Sequence, residues 1–177
     1  MSSKSKIFAV ISCLALLGAS EVRSQQPLPS NPLDTVPDKM PFDVPYGTPI
    51  SLERAQAAIA AAVSEAKKHD WKLNVAVVDS GANLVAFQRM DGAQLASVQI
   101  AEHKARSSAM FRRETKIFEN AIQLNNMQYV ATLDGVIGSR GGIPIIEAGK
   151  IIGAIGCSGG TGSQDEVACK VGAATVK

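Results

Sequence analysis

Apolar positions along the chain switch between a helical and a strand period. Leu52, Ala55, Ile59, Ala62, Val63 and Ala66 repeat at helical spacing behind Ser51, a good N-cap. The run closes on Lys67-Lys68-His69, where positive charge suits a helix C-terminus. Leu73 to Val78 is then β-branched and apolar, Ser80-Gly81-Ala82-Asn83 is a turn, and Leu84 to Met90 sets Leu84, Ala86 and Gln88 against Val85, Phe87 and Arg89. So tight a connection predicts two antiparallel strands. Asp91-Gly92 breaks the second of them. Gln94 to Arg113 holds no proline or glycine and places Leu95, Val98, Ala101, Ala105 and Ala109 on one helical face, predicting a second, longer helix.

A third helix is predicted from Thr115 to Leu124, ended by Asn125-Asn126, whereas Tyr129 to Leu133 fits neither period. Ile143 to Ile146, the turn Glu147-Ala148-Gly149-Lys150 and Ile151 to Cys157 form a second hairpin. Gly159-Gly160-Thr161-Gly162 then leads into a C-terminal helix, with Ser163-x-x-Glu166 as its capping box. The order is helix, two strands, two helices, two strands, helix. It predicts an α/β chain of the α+β kind, with an antiparallel sheet rather than the parallel sheet of a Rossmann fold.

The ends of the chain change this picture. With 177 residues, 46% of them hydrophobic, one domain is expected. Met-Ser-Ser-Lys-Ser-Lys followed by the apolar run Ile7 to Ala19 reads as a secretory signal, cleaved after Ser20 or, preferably, Ser24. The run is shorter than the roughly 20 apolar residues of a membrane span and is interrupted by Ser12 and Gly18, so no transmembrane span is expected. Val10-Ile11-Ser12-Cys13 resembles a lipoprotein box, but the apolar run continues past Cys13, which makes lipidation the lesser reading. Residues 25–47 form an arm: seven of the eight prolines lie between Gln25 and Pro49, a composition unsuited to a helix or central strand. Its half from Met40 to Gly47 carries large apolar side chains and is expected to be ordered on a neighbouring surface. The division is therefore 1–24 signal peptide, 25–47 proline-rich arm and 48–177 domain, in a periplasmic or secreted protein.

Loss of residues 1–24 removes Lys4, Lys6, Arg23 and Glu21 and leaves a net charge of 0. A neutral chain without a basic stripe lacks the footprint for nucleic acid. Cys157 and Cys169 would then be the remaining cysteines: a disulfide in an oxidising compartment, two buried thiols, or a soft metal site. The glycine-rich turn through Gly159 and Gly160 precedes a helix N-terminus, where backbone N–H groups favour an anion, although it matches no nucleotide-binding motif. Arg140, beside Gly141 and Gly142, has the geometry to hold a carboxylate such as a haem propionate. His103 shares a helical stripe with Ile100, Ser107, Met110 and Phe111 and is the candidate metal ligand, since a neutral imidazole suits haem iron. The two histidines form no H-E-x-x-H, no G-x-S-x-G occurs, and Asp79, Asp91 and Asp134 at strand or loop ends suit turn formation, so no catalytic residue is assigned.

Taken together, Val77-Val78-Asp79-Ser80-Gly81-Ala82-Asn83-Leu84-Val85-Ala86-Phe87, Arg89-Met90-Asp91-Gly92-Ala93, Lys104-Ala105-Arg106, Arg140-Gly141-Gly142-Ile143-Pro144, Gly153 through Thr161 and Gln164-Asp165-Glu166 resemble the GlcG/HbpS-like family over residues 48–176. The resemblance implies a profilin-like or PAS-like antiparallel sheet flanked by helices, homo-oligomers, and haem or another tetrapyrrole as ligand. It also implies a sensor kinase as the partner of some members. Cys157, where a small aliphatic residue is usual, and Asn83, often glycine, depart from the family pattern. The function expected is exported haem binding, in sensing or storage; the alternatives are an enzyme acting on a tetrapyrrole or small metabolite, and a ligand-free sensory module.

Overall fold

A computed structural model describes residues 34–176; the expected signal peptide and the start of the arm lie outside the described residues. The chain separates into two units, Met1–Asp38 and Lys39–Lys177. The second contains helix α1 (Leu52–Lys68), strands β1 (Asn74–Asp79) and β2 (Leu84–Arg89), helices α2 (Ser97–Phe111) and α3 (Lys116–Gln123), strands β3 (Gly142–Glu147) and β4 (Lys150–Ser158), and helix α4 (Gly162–Ala174). Every strand pair is antiparallel, in the order β2-β1-β4-β3. This is the expected α+β architecture. Tyr129 to Leu133, which showed no period, belongs to a 3₁₀ turn, Gln128–Thr132.

Alternation along β1 sorts its side chains to two faces. Val75 and Val77 join Ile59, Val63, Ile155, Cys157 and Cys169 in the larger core beneath α1 and α4. Ala76 and Val78 meet Ala101, Ala105, Ala109 and Ala154 in a thinner core under α2. There the helix backbone itself reaches the sheet. A Cβ at Gly156 would collide with Ala101 O and stand 2.5 Å from Ala105 N, and one at Gly142 would collide with Lys104 O. Glycine on the sheet and alanine on the helix are the residues this approach requires.

Turns and ends follow local chemistry. Asp79 Oδ1 accepts from the N–H groups of Gly81 at 2.8 Å and Asn83 at 2.9 Å, the turn-forming role expected of it. Ser51 caps α1 through Arg54 N–H. The capping box of α4 differs from the expectation. It is formed by Thr161 and Gln164, with Gln164 N–H donating to the threonine and the amide oxygen accepting from Thr161 N–H, because the helix begins at Gly162 and Ser163 already lies inside it.

Part of the proline-rich arm is ordered on the domain. Beyond the last β1 partner, the arm runs beside β4 in the place of β1: Ile151 N–H donates to Pro45 O, Gly47 N–H to Ile151 O, and Ile50 N–H to Ile152 O. Tyr46 Oη lies 3.1 and 2.9 Å from the carbonyls of Ala109 and Met110 at the end of α2, and the Arg113 guanidinium stacks on Phe42. Cys157 on β4 and Cys169 on α4, both fully buried, are joined by a disulfide with Cα atoms 5.7 Å apart. Of the three readings open for these cysteines, this is the one realised.

Candidate functional site

The stripe Gln99, Glu102, His103, Arg106 and Met110 lies along the outward side of α2, opposite the alanines that meet the sheet. With Gly135 it lines an open groove of about 530 Å³. Gly135 has φ +79°, and a Cβ there would press on Met110 Cε at 3.3 Å, so the loop lies directly against the methionine. His103 is exposed and, among the described residues, has no hydrogen-bond or ring partner. Arg106 reaches Glu102 at 3.3 Å, one helical turn away, a surface pair of small energetic worth. The other histidine is engaged: His69 stacks on Trp71 with ring centroids 4.4 Å apart, and its Nε2 is 3.4 Å from Glu65.

Arg140, Gly141, Gly142, Gly159 and Gly160 gather elsewhere, around a buried ion pair. Lys104, one residue from His103, turns inward and donates to Asp165 at 2.8 Å, with side-chain exposures of 1% and 3%. Asp165 Oδ1 also accepts from Gly160 N–H at 3.1 Å. The carboxylate held by this glycine-rich turn is thus the chain's own. Burial pushes the Asp165 carboxyl above its ordinary value, against the opposing pull of Lys104 and the N–H groups of Gly160 and Gly159. Gly141, at φ +118°, leaves the space that the pair occupies: a Cβ would stand 2.9 Å from Asp165 Cβ and 3.2 Å from Lys104 Nζ.

Arg140 is drawn into a network at the rim of this cluster. Its backbone N–H and Nε donate to the two carboxylate oxygens of Glu119, each at 2.7 Å, and its Nη1 is 3.5 Å from Glu166. Glu166 also receives Lys116 at 3.2 Å and Lys170 at 2.7 Å. Burial alone would raise the Glu119 and Glu166 carboxyls; the hydrogen bonds from Arg140 to the first, and from Lys170 and Lys116 to the second, outweigh it and hold both below the usual range. The guanidinium of Arg140 is raised by its bond to Glu119.

The structure therefore groups five of the six candidate residues around Lys104–Asp165 and places His103 in a groove with Arg106. Lys104, Arg106 and Asp165 entered the sequence reading only within the motifs Lys104-Ala105-Arg106 and Gln164-Asp165-Glu166, with no site role assigned to them. One signal was present: Lys104 occupies the small-residue face of Ala101, Ala105 and Ser108, where a lysine needs a buried partner.

Comparison with known proteins agrees with this architecture. The profile of the family described as "Haem degrading protein HbpS-like" matches residues 50–174. The protein GlcG of Escherichia coli K12 is 39% identical over 109 residues, 62% of this chain and 81% of GlcG. The structure of a double mutant of Streptomyces reticuli HbpS superposes with a TM-score of 0.68 at 27% identity, covering 86% of this chain and 97% of that one. The PduOC:heme complex shares the fold, with a TM-score of 0.66 at 23% identity over 73% of this chain and 96% of that one. The family's description connects it with haem, and with its profile running from the end of the arm to the end of α4, this chain belongs to the HbpS-like family.

Proposed function

We propose that the protein is an exported haem-binding protein that holds the macrocycle along the outer side of α2. The observation that carries this reading is the unpartnered imidazole of His103 in a groove that also presents Met110 and Arg106. The groove offers groups that suit haem: an imidazole nitrogen for the iron, a thioether and aliphatic stems against the ring, and a guanidinium for a propionate. Arg106 lies in the groove itself, whereas Arg140 would serve a propionate by exchanging it for Glu119. Export is supported by the leader-like first 24 residues and by the Cys157–Cys169 disulfide, a bond favoured in oxidising compartments. Sensing, storage and a kinase partner remain roles this ligand would serve, and the homo-oligomer implied by the resemblance would bring several such grooves together.

The test is a haem titration of residues 25–177 followed at the Soret band, with His103→Ala alongside. A saturable shift abolished in the variant is expected. A shift retained in full would place the iron elsewhere, and none in either protein would refute the haem reading. The family's description favours one second reading, haem degradation. It predicts loss of the Soret band when the loaded protein is given oxygen and a reductant, whereas a binding protein would retain it.

A further inference from the structure

Among the described residues, two buried side-chain polar atoms lack a hydrogen-bond partner, Asn74 Oδ1 and Ser107 Oγ. Asn74 is held from its other end, where Nδ2 donates to Gln94 O at 3.2 Å. Ser107, on α2, is wholly buried and its hydroxyl is engaged by nothing. Interior hydroxyls are almost always bonded, so one left unpaired calls for an explanation. Its cover accounts for the burial. Gly135 lies against Met110 and Phe111, whereas Gly141 and Gly142 lie against Lys104. The chain between them therefore runs along α2 past Ser107 and shuts out water.

Ser107 stands one helical turn after His103. Residues four apart on a helix bring their Cβ atoms to roughly 5–6 Å. Side chains on a helix lean toward its N-terminus, so Ser107 leans back toward His103. Gln99, one turn before His103, leans away from it and lines the open groove. The two imidazole nitrogens differ in reach. Nδ1 adjoins the ring carbon that carries the side chain and stays near the helix surface, whereas Nε2 is on the outer side of the ring. A buried hydroxyl is placed to meet the first, and a ligand in the groove to meet the second.

We propose that Ser107 is the positioning residue of this site: its hydroxyl accepts a hydrogen bond from His103 Nδ1–H when haem is held in the groove. The inference rests on the haem reading given above. A proton fixed on Nδ1 leaves the lone pair on Nε2 for the iron, and the bond makes that nitrogen a more basic ligand. Neither group has another partner among the described residues, so both are available to this bond.

The test compares residues 25–177 with the same chain carrying Ser107→Ala, Ser107→Thr or His103→Ala. Haem affinity is read from the Soret titration, and the iron–histidine stretch of the ferrous protein by resonance Raman spectroscopy. Ser107→Ala is expected to bind haem at least about tenfold more weakly and to lower the stretching frequency, because the metal-bound imidazole loses its outer partner. Ser107→Thr keeps the hydroxyl and is expected to preserve both. Without haem, the thermal midpoint of Ser107→Ala should be no lower than that of the parent, since the hydroxyl removed makes no bond there. An unchanged stretching frequency in Ser107→Ala, or a lowered midpoint without haem, would overturn the proposal. A Soret shift lost in His103→Ala yet indifferent to Ser107 would do the same while leaving the haem reading intact; no shift in any of the chains would remove both.

Discussion

Lys104 and Asp165 carry the largest single-residue consequences in the molecule. A pair with 1% and 3% side-chain exposure gives up nearly all its hydration, and removing one partner leaves the other charge without compensation. Lys104→Ala is therefore expected to cost about 3–5 kcal/mol in urea unfolding, while Lys104→Met combined with Asp165→Leu recovers much of that loss. A double variant as unstable as the single one would show that Asp165 acts chiefly through Gly160 N–H. Both residues sit in motifs visible in the sequence, but that they pair was not legible, because they stand 61 residues apart. Arg140 was legible as a carboxylate-binding arginine, but which carboxylate it meets depended on the packing of α3 against the loop before β3.

At the scale of elements, the strongest periodic signals gave the right types, and their boundaries moved where local chemistry competed. Two overlapping patterns, Thr161-x-x-Gln164 and Ser163-x-x-Glu166, both suit a capping box. The second is not used because the helix begins at Gly162, and Glu166 is left to meet Lys116, Lys170 and Arg140. That network joins α3, α4 and the loop before β3, and it titrates. The Glu119 and Glu166 carboxyls are lowered from an ordinary value near 4.5. Their contribution is thus fully present above that value and lost as pH falls from there through the folded pKa. Asp165, raised from 3.8, contributes with the opposite sign as pH falls. The urea midpoint is expected to decline below about pH 4.5, and Glu166→Gln should flatten the decline, because glutamine cannot take up the proton. An unchanged slope in Glu166→Gln would remove the network from the acid sensitivity.

For the whole molecule, the sequence disclosed the antiparallel sheet and the order of its elements but not how the arm meets the domain. Proline density marked residues 25–47 as non-helical, yet the docking of Tyr46 and Phe42 depends on where α2 ends, a position no local pattern specifies. A chain beginning at Thr48 is expected to be less stable than one beginning at Lys39 by about 2–3 kcal/mol, since it loses the Tyr46 hydrogen bond and the stacking of Arg113 on Phe42. Equal thermal midpoints for the two would reduce the arm to a tether.

The meeting of α2 with the sheet has a mechanical consequence. Gly156 and Gly142 bring the backbone of the helix against the strands, so no compliant layer of side chains separates them. Close-packed interiors transmit strain rather than absorb it. His103 therefore stands on a stiff mount, and force applied to its imidazole would pass to β4 and, through Cys157, to α4. The outer groove and the far face of the sheet are thus connected as a lever is to its load.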